Sequence, residues 1–320
     1  MIGAGIIGGA GYTAGELVRL LVNHPAAEIA WIHSESQVGK AVAEHHPGLV
    51  GDTDLVFTDV VDLEGIDVLF LCSAHGKSSA FWEEHPCPEG LKVVDLAQDF
   101  RDESEGYVYG LPELNRSRIA GARKVANPGC FATAIQLALL PLARNLMLND
   151  DVYVNAITGS TGAGVKPGAT THFSWRNNNI SIYKPFTHQH LPEIIQSVKH
   201  LQSSFSSDIN FIPYRGDFAR GIYATVVVKN AVDIEELYRI YREYYEADSF
   251  VHVVEEPIDL KQVVNTNKCL LHLEKHGDKL LVVSCIDNLL KGASGTAVHN
   301  MNLLFNLKET TGLKLKPSGF

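Results

Sequence analysis

The first third of the chain alternates short apolar runs with segments of helical periodicity. The runs are IGAGII (2–7), EIAWIH (28–33), DVLFLC (67–72) and KVVDLA (92–97). After the first run, TAGELVRLLVNHP places Leu17, Leu20 and Leu21 on one helical face and stops before Pro25. Continuous apolar strands separated by helices are typical of a parallel sheet covered on both faces. We therefore predict an α/β domain with a parallel sheet over 1–129.

Beyond Cys130 the pattern changes to strands with few helices between them. The strand-like segments are 151–159, 208–214, 221–229, 268–275 and 279–286, and the last two flank the hairpin signal His276-Gly277-Asp278. Helical periodicity follows over 233–247 and again in ASGTAVHNMNLLFNL near the end. These segments predict a second, α+β domain with a mainly antiparallel sheet over 130–291. A C-terminal helix over 292–320 is expected to complete the first domain.

Composition and charge limit the classes of partner. The 320 residues are 45% hydrophobic and 20% charged, with a net charge of -10, which disfavours nucleic acid and anionic membranes as partners. Five cysteines without a C-x-x-C pair favour reduced thiols over a disulfide framework or a zinc site. No basic leader precedes the first strand, and no apolar stretch reaches the roughly 18 residues of a membrane span. We expect a soluble, cytoplasmic protein.

A glycine-rich loop joins the first predicted strand to the first helix. Gly8, Gly11 and Gly15 form G-x-x-G-x-x-x-G, a variant of the dinucleotide fingerprint. Glycines let the backbone turn tightly and approach a pyrophosphate at the helix N-terminus. The alternative is a plain glycine-rich turn, but the position between strand and helix favours a Rossmann-type domain. Gly8, Gly11, Tyr12 and Thr13 are the candidate cofactor residues here.

The second strand leads into HSESQVGK, which bears on the choice of cofactor. No acidic residue stands directly at the strand end to bind a ribose 2′-hydroxyl, although Glu35 is close. Ser34, Ser36 and Lys40 suit a 2′-phosphate, which favours NADP over NAD. Glu35 is equally consistent with a solvated loop charge.

Cys130 stands between a Pro-Gly pair and a long apolar helical segment. A helix N-terminus stabilises a thiolate through its oriented N–H groups, so NPGCFATAIQLALLPLA is compatible with a nucleophile. The competing interpretation is a buried packing thiol, the commoner role of a lone cysteine. Local sequence leaves both open.

The segment THQHLPEII brings His188, His190 and Glu193 together before a helix that Pro192 begins. The H-x-H pair is compatible with a metal, with a polar loop, or with a nucleophile–base pair in which Glu193 orients an imidazole. No further spacing completes a metal-ligand set and HExxH is absent, so no metal is predicted.

Two further segments carry candidate anion-binding groups. GSTGAGVKPG contains Gly162 and the cation Lys166, and DLAQDFR ends in Arg101 after a predicted parallel strand. A flexible turn and a surface salt bridge are the respective alternatives.

Several motifs, taken together, resemble those of the N-acetyl-γ-glutamyl-phosphate reductase family, the arginine-pathway relatives of aspartate-semialdehyde dehydrogenase. They are GGAGYTAGELVRLL, SAHGKS, DLAQDFR, YGLPELNR, ANPGCFATA, GSTGAGVKPG, HQHLPEI and CIDNLLKGASGTAVHNMNLLF. The resemblance extends along essentially the whole chain, and NPGC with HxHxPEI is its most specific part. SAHG in place of PHG, and Lys166 near a common arginine, depart from the family pattern.

The resemblance implies NADPH-dependent reduction of an acyl phosphate through a cysteine thioacyl intermediate. It makes Cys130 the nucleophile and His188 the acid/base, with His190, Glu193, Arg101, Asn115 and Lys166 around the substrate. It also places a third set of residues near the cofactor: Ser73, Gly162, Asn288 and Lys291.

Alternatives to this function stay open at the level of sequence. They are an aspartyl-phosphate reductase of the sister family, an enzyme for an N-succinyl substrate, and a non-catalytic dinucleotide sensor. The expected partners are a small acyl phosphate, inorganic phosphate and further copies of the chain, as a homodimer or homotetramer.

Overall fold

The computed structural model describes residues 1–74 and 76–318. The chain divides into two compact units. Unit 1 consists of Met1–Pro128 and Ala293–Lys314, and unit 2 consists of Gly129–Gly292 and the chain end from Leu315.

A seven-stranded sheet forms the centre of unit 1. Its strands are β1 (Ile2–Ile7), β2 (Ala27–His33), β3 (Phe57–Thr58), β4 (Val68–Leu71), β5 (Lys92–Asp95), β6 (Tyr107–Tyr109) and β7 (Lys124–Ala126). All pairings are parallel, in the order β3-β2-β1-β4-β5-β7-β6. The chain winds outward in both directions from β1 and β4, so the switch point lies between their carboxyl ends, where α/β sheets bind ligands. The predicted parallel sheet is confirmed.

Helices connect these strands, as the periodicity of Leu17, Leu20 and Leu21 predicts, and all three leucines are buried. The helices are α1 (Tyr12–Leu21), α2 (Val42–His45), α3 (Ser78–Glu84) and α4 (Pro112–Ala120).

Unit 2 contains a second seven-stranded sheet of mixed direction. Its strands are β8 (Val152–Thr158), β9 (Ser181–Ile182), β10 (Ile209–Arg215), β11 (Ile222–Lys229), β12 (Val251–Val254), β13 (Cys269–His276) and β14 (Lys279–Ile286). The order is β12-β13-β14-β11-β8-β10-β9, with parallel pairing only for β8/β10 and β12/β13. The mainly antiparallel prediction is confirmed. Gly277 turns the β13–β14 hairpin with a φ of +62°.

The helices of unit 2 are α5 (Cys130–Arg144), α6 (Phe173–Arg176), α7 (Leu191–Leu201) and α8 (Ile234–Tyr244). Every residue of α5 from Phe131 to Ala143 is buried, and the helix packs against α7, β11 and β14. Such burial explains the mostly apolar sequence of α5, because a helix that is apolar on all sides belongs inside a core.

The last helix, α9 (Gly295–Leu304), follows a π-helical turn at Leu290–Ser294 and packs in unit 1 against α1, α4 and β5. The prediction that helix fills 292–320 is wrong beyond Leu304. Asn306 adopts a left-handed conformation with a φ of 53°, which ends the helix. The described residues that follow are not helical, and Gly319 and Phe320 lie outside the described residues.

Candidate active site

Cys130 is the first residue of α5. Its predecessor Gly129 is the N-cap, with extended backbone angles (φ −72°, ψ 152°), and the Gly129 carbonyl accepts from both the N–H and the hydroxyl of Thr133. The half-buried thiol therefore lies where the first N–H groups of a helix have no carbonyl partner in that helix. Such a position stabilises a thiolate.

Two side chains from the start of α7 hold Gly129 in place. Glu193 is buried and accepts a hydrogen bond of 3.1 Å from the Gly129 N–H. The His190 ring lies against the same glycine, because a Cβ added to Gly129 would be 2.3 Å from its Nε2. The His190 Nε2 is also 4.0 Å from the Glu193 Oε1. The HxHxPE segment is thus assembled directly beside the residue that precedes the thiol.

His188 occupies a different environment from His190, although their rings meet edge to face with centroids 4.6 Å apart. Its Nδ1 accepts the backbone N–H of His190 at 3.2 Å, so the neutral ring carries its proton on Nε2. Burial, with smaller effects of Lys184 and Arg215, lowers the pKa of His188 to about 4. His188 is therefore a neutral hydrogen-bond donor near pH 7.

Tyr183 and Arg215 complete this cluster, and sequence reasoning missed both. The Arg215 guanidinium lies 4.4 Å from the centre of the Tyr183 ring, and Tyr183 meets His188 edge to face. Burial raises the pKa of Tyr183, and the negative charge of a Cys130 thiolate raises it further. Arg215 brings a positive charge to the last position of β10, which is the kind of group that an anionic substrate requires. Its signal in the sequence was an arginine directly after a predicted strand.

A glycine from the opposite end of unit 2 also packs against the cysteine. A Cβ added to Gly292 would lie 2.8 Å from the Cβ of Cys130. The Gly292 N–H donates to the carbonyl of Asp287, whose buried carboxylate forms a two-point ion pair with Arg220 (Nε–Oδ2 and Nη2–Oδ1, 3.1 Å each). The side chain of Asp287 also accepts from the N–H groups of Leu289 and Leu290. The segment that packs against Cys130 is therefore held by a partly buried charge pair that sequence reasoning did not identify.

The glycine loop of unit 1 has the geometry that the fingerprint predicts. Gly8 has a φ of +79°, and a Cβ there would lie 2.8 Å from the carbonyl oxygen of Cys72. Gly11 donates to the Gly8 carbonyl and is the N-cap of α1, so Tyr12 and Thr13 begin the helix. The loop fits a dinucleotide, because a side chain at Gly8 would fill the space between the ends of β1 and β4.

Two family models match most of the chain. The one described as Semialdehyde dehydrogenase, NAD binding domain, matches residues 3–122, and the one described as Semialdehyde dehydrogenase, dimerisation domain, matches residues 130–288. Proteins named N-acetyl-gamma-glutamyl-phosphate reductase from Bacteroides thetaiotaomicron and Phocaeicola vulgatus are 69% and 68% identical, each over 100% of both chains. A reductase of the same name from Flavobacterium johnsoniae is 52% identical over the same coverage.

The chain belongs to the N-acetyl-gamma-glutamyl-phosphate reductase family.

Solved structures extend the fold beyond this reductase family. Aspartate semialdehyde dehydrogenase II from Vibrio cholerae superposes with a TM-score of 0.76 at 17% identity, over 96% of this chain and 98% of that one. The enzyme from Candida albicans, solved with NADP, gives a TM-score of 0.71 at 15% identity, over 95% and 98% of the two chains. The resemblance that the motifs indicate is confirmed at the level of the family and the fold.

Of the substrate residues predicted from the reductase family, Arg101 and Asn115 are buried and bind the backbone of unit 1. The Arg101 guanidinium donates to the carbonyl of Asn127 at 2.9 Å and to that of Leu96 at 3.2 Å. Asn115 donates to the carbonyl of Tyr109. The Arg101 bond therefore holds the Asn127 carbonyl at the start of the NPGC segment, and contact of either side chain with substrate stays a prediction.

The remaining family-derived predictions fall on several loops. Lys166 and Gly162 are exposed after β8. Asn288 lies in the site segment, where it accepts from the Gly221 N–H and donates to the Thr161 hydroxyl, and Lys291 is fully buried in the π-helical turn. Ser34 is buried at the end of β2, Ser36 is exposed and Ser73 is half-buried after β4. His75 of the SAHGKS motif lies outside the described residues.

Cys72 and Cys285 have the buried character of packing residues. Burial raises the pKa of the Cys72 thiol to about 12 and raises that of Cys285 still further. Cys269 is also buried, and Cys87 is half-buried in a loop. Cys130 is the cysteine that combines partial exposure with a helix N-terminus.

Within residues 1–74 and 76–318, no group of three or more His, Cys, Asp or Glu side chains is arranged to hold a metal ion. In the same part of the chain, no helix is long and apolar enough to cross a membrane.

Proposed function

We propose that this chain catalyses the NADPH-dependent reduction of N-acetyl-γ-glutamyl phosphate to N-acetylglutamate semialdehyde, with release of inorganic phosphate. The observation that carries the proposal is the half-buried thiol of Cys130 at the N-terminus of α5, beside the His190–Glu193 pair that holds Gly129. The names of relatives 52–69% identical over the full chain support the substrate.

The chemistry follows from the thiol. The Cys130 thiolate attacks the γ-carbonyl carbon, the new C–S bond forms, and the C–O bond to phosphate breaks with both electrons going to the departing phosphate. NADPH, when bound, supplies the hydride that reduces the resulting thioester. The aldehyde leaves as the C–S bond breaks and returns the electron pair to the Cys130 sulfur.

Residues of unit 1 fit the cofactor. Gly8, Gly11, Tyr12 and Thr13 would receive the pyrophosphate, with Ser34 and Ser36 at the end of β2 near the ribose 2′-phosphate. Ser73 and Gly162 stay predictions for cofactor binding, and Asn288 and Lys291 for the nicotinamide side.

For the acid/base, the environment favours His190 over His188. The pKa of His188 is lowered to about 4 by burial, and its Nδ1 is committed to the His190 N–H, so protonating it near pH 7 is costly. His190 instead faces the carboxylate of Glu193, the arrangement that stabilises an imidazolium in nucleophile–base pairs. In this proposal His188, Arg215 and Tyr183 bind the anionic substrate, and the sequence-based assignment of acid/base to His188 gives way to His190.

The test is oxidation of N-acetylglutamate semialdehyde with NADP and phosphate. Cys130→Ser is expected to lose at least about a thousandfold in kcat, whereas the loop variant Cys87→Ser stays near wild type. Retention of activity in Cys130→Ser would refute the covalent route. Faster turnover of aspartate semialdehyde or of the N-succinyl analogue would reassign the substrate, and cofactor binding without turnover would leave a dinucleotide sensor.

A second comparison separates the histidines. His190→Asn is expected to lower kcat and to remove one limb of its pH profile, whereas His188→Asn mainly raises KM for the semialdehyde. The reverse pattern would restore His188 as the acid/base.

We also propose that unit 2 pairs with a second copy of the chain. A dimerisation-domain family model matches 130–288, and the internal strand β8 leaves Tyr153 53% exposed on one face while Val152 and Val154 are buried. Because the other face of β8 is buried, this exposed face of the sheet is the one available to a second copy. Light scattering on Tyr153→Asp should show a smaller particle than wild type, and an unchanged mass would exclude this face.

A further inference from the structure

Two adjacent histidines hold the glycine loop of unit 1. The His46 Nε2 lies 2.8 Å from the carbonyl oxygen of Gly9, and the His45 Nε2 lies 3.0 Å from that of Ala10. A carbonyl oxygen only accepts hydrogen bonds, so both rings carry a proton on Nε2. The two rings meet edge to face with centroids 4.8 Å apart, and both pack near Phe57.

Each of these bonds also sets the direction of an N–H group. In a planar trans peptide the carbonyl and the following N–H point in opposite directions. The Ala10 N–H therefore points away from His46, and the Gly11 N–H points away from His45 and donates to the Gly8 carbonyl at 3.2 Å. The loop thus presents the Ala10 N–H on the side opposite α2, which is the orientation that an oxygen of a bound phosphate needs.

The position of His46 also explains why the third residue of the fingerprint, Gly15, is a glycine. A Cβ added to Gly15 would lie 2.7 Å from the Nδ1 of His46, whereas one added to Gly11 would meet nothing closer than 3.6 Å. Gly15 therefore makes room for the imidazole that binds the loop carbonyl. Sequence alone relates this glycine to the phosphate loop in general, without the histidine.

We propose that His45 and His46 are positioning residues for NADPH, which they serve through the carbonyls of Gly9 and Ala10 without touching the cofactor themselves. They fix the loop in its phosphate-binding conformation before the cofactor arrives, so that the binding free energy of NADPH is not reduced by the cost of ordering the loop. This inference rests on the proposed function, since it takes NADPH as the ligand.

The experiment measures the Kd of NADPH by its fluorescence, together with the KM for N-acetylglutamate semialdehyde. His46→Ala is expected to raise the Kd about tenfold and His45→Ala about fivefold, with the semialdehyde KM unchanged. His46→Gln, which keeps an N–H donor, should recover most of the loss.

His24→Ala is the matched control. His24 is a buried histidine of the same unit whose Nε2 lies 3.1 Å from the Asn302 side chain on α9. Its removal should lower the melting temperature and leave the Kd of NADPH unchanged. If His24→Ala raises the Kd of NADPH as much as His46→Ala does, the effect is general destabilisation and the inference fails.

Gly15→Ala supplies an independent arm, because it displaces the ring without removing it. It should raise the Kd of NADPH about as much as His46→Ala does. The double variant Gly15→Ala/His46→Ala should have no higher Kd than either single variant, because without the imidazole the new methyl group has nothing to displace. Additive losses, or wild-type Kd in His46→Ala, overturn the inference. Wild-type protein that binds no NADPH would instead refute the proposed function, so the two failures are distinguishable.

Discussion

The Tyr245 hydroxyl donates a hydrogen bond of 2.6 Å to the carbonyl of Leu137, four residues before Pro141. Proline has no N–H, so position 141 of α5 cannot supply the helical partner of that carbonyl. Tyr245 supplies it from the end of α8. At its internal proline, the helix that carries Cys130 therefore receives a hydrogen bond to a backbone carbonyl from the side chain at the C-cap of another helix.

Tyr245→Phe is expected to lower the free energy of unfolding by about 1–3 kcal/mol, because it leaves the buried Leu137 carbonyl without a donor. Urea unfolding measures the loss. Tyr241→Phe is the matched control: its hydroxyl binds the Ala138 carbonyl at 2.6 Å, but Leu142 offers that carbonyl an ordinary helical N–H. A larger loss in Tyr241→Phe than in Tyr245→Phe would contradict this account of Pro141.

Gly129→Ala is expected to abolish most activity while the protein stays folded. The new methyl group would lie 2.3 Å from the His190 Nε2, so the ring must move away from the residue beside Cys130. Overpacking of this kind costs about 1–3 kcal/mol, and we expect kcat to fall about a hundredfold or more. Steady-state kinetics beside circular dichroism checks the prediction, with Gly164→Ala, where a Cβ meets nothing within 4 Å but the φ is +80°, as a backbone-strain control.

Arg215→Met is expected to raise the pKa of His188. The positive charge of Arg215 disfavours protonation of the ring, so its removal moves the pKa upward from about 4, yet the value stays below 6.5 because burial is the largest cause of the shift. Proton NMR titration of the imidazole measures this. The same variant should raise the KM for the semialdehyde about tenfold or more. An unchanged His188 pKa would show that the guanidinium does not act on this histidine.

Glu309 links stability to pH in unit 1. Its carboxylate binds His299 at 2.7 Å and Arg116 at 2.8 Å, and these bonds lower its pKa from 4.5 to about 2. Because the folded pKa is the lower one, the stabilisation is complete above pH 4.5 and is lost as the pH falls toward 2. The shift corresponds to on the order of 3 kcal/mol.

Glu309→Gln should therefore be destabilised at pH 7 and should lose less stability than wild type between pH 5 and 3. Urea unfolding at pH 7 and at several values between pH 5 and 3 measures both. The exposed Glu89→Gln is the control and should follow wild type. Parallel curves for Glu309→Gln and wild type would exclude the linkage.

Much of the fold was predictable because most of its strands have a recognisable local sequence pattern. Continuous apolar runs predicted β1, β2, β4 and β5, and the strand-like segments 151–159, 208–214 and 221–229 predicted β8, β10 and β11. Two-residue strands such as β3 and β9 have no such pattern, since they exist only through pairing with a longer neighbour. The end of α9 was missed for a related reason: Asn306 adopts its left-handed conformation within an otherwise helix-compatible sequence.

For the site, the motifs predict Cys130, His188, His190 and Glu193 as functional residues but not what each side chain contacts. Arg101 and Asn115 show the limit, because no pattern in the sequence indicates the backbone carbonyls that these two side chains bind. The Asp287–Arg220 pair and the approach of Gly292 to Cys130 join segments far apart along the chain. Only the tertiary fold brings such residues together.

The approach of Gly292 to Cys130 also bears on the order in which the chain passes through the two units. Gly129 and Gly292 are the first and last residues of the long segment of unit 2, and a Cβ on Gly292 would lie 3.1 Å from the Cα of Cys130, so the two ends of that segment meet. In unit 1 the flanking residues meet as well, since the Asn127 side chain donates to the Ala293 carbonyl at 3.0 Å. The long segment of unit 2 is therefore inserted between two segments of unit 1, and its folding brings its own two ends together. The nucleophile is the second residue of that inserted segment, beside the point where the two ends meet.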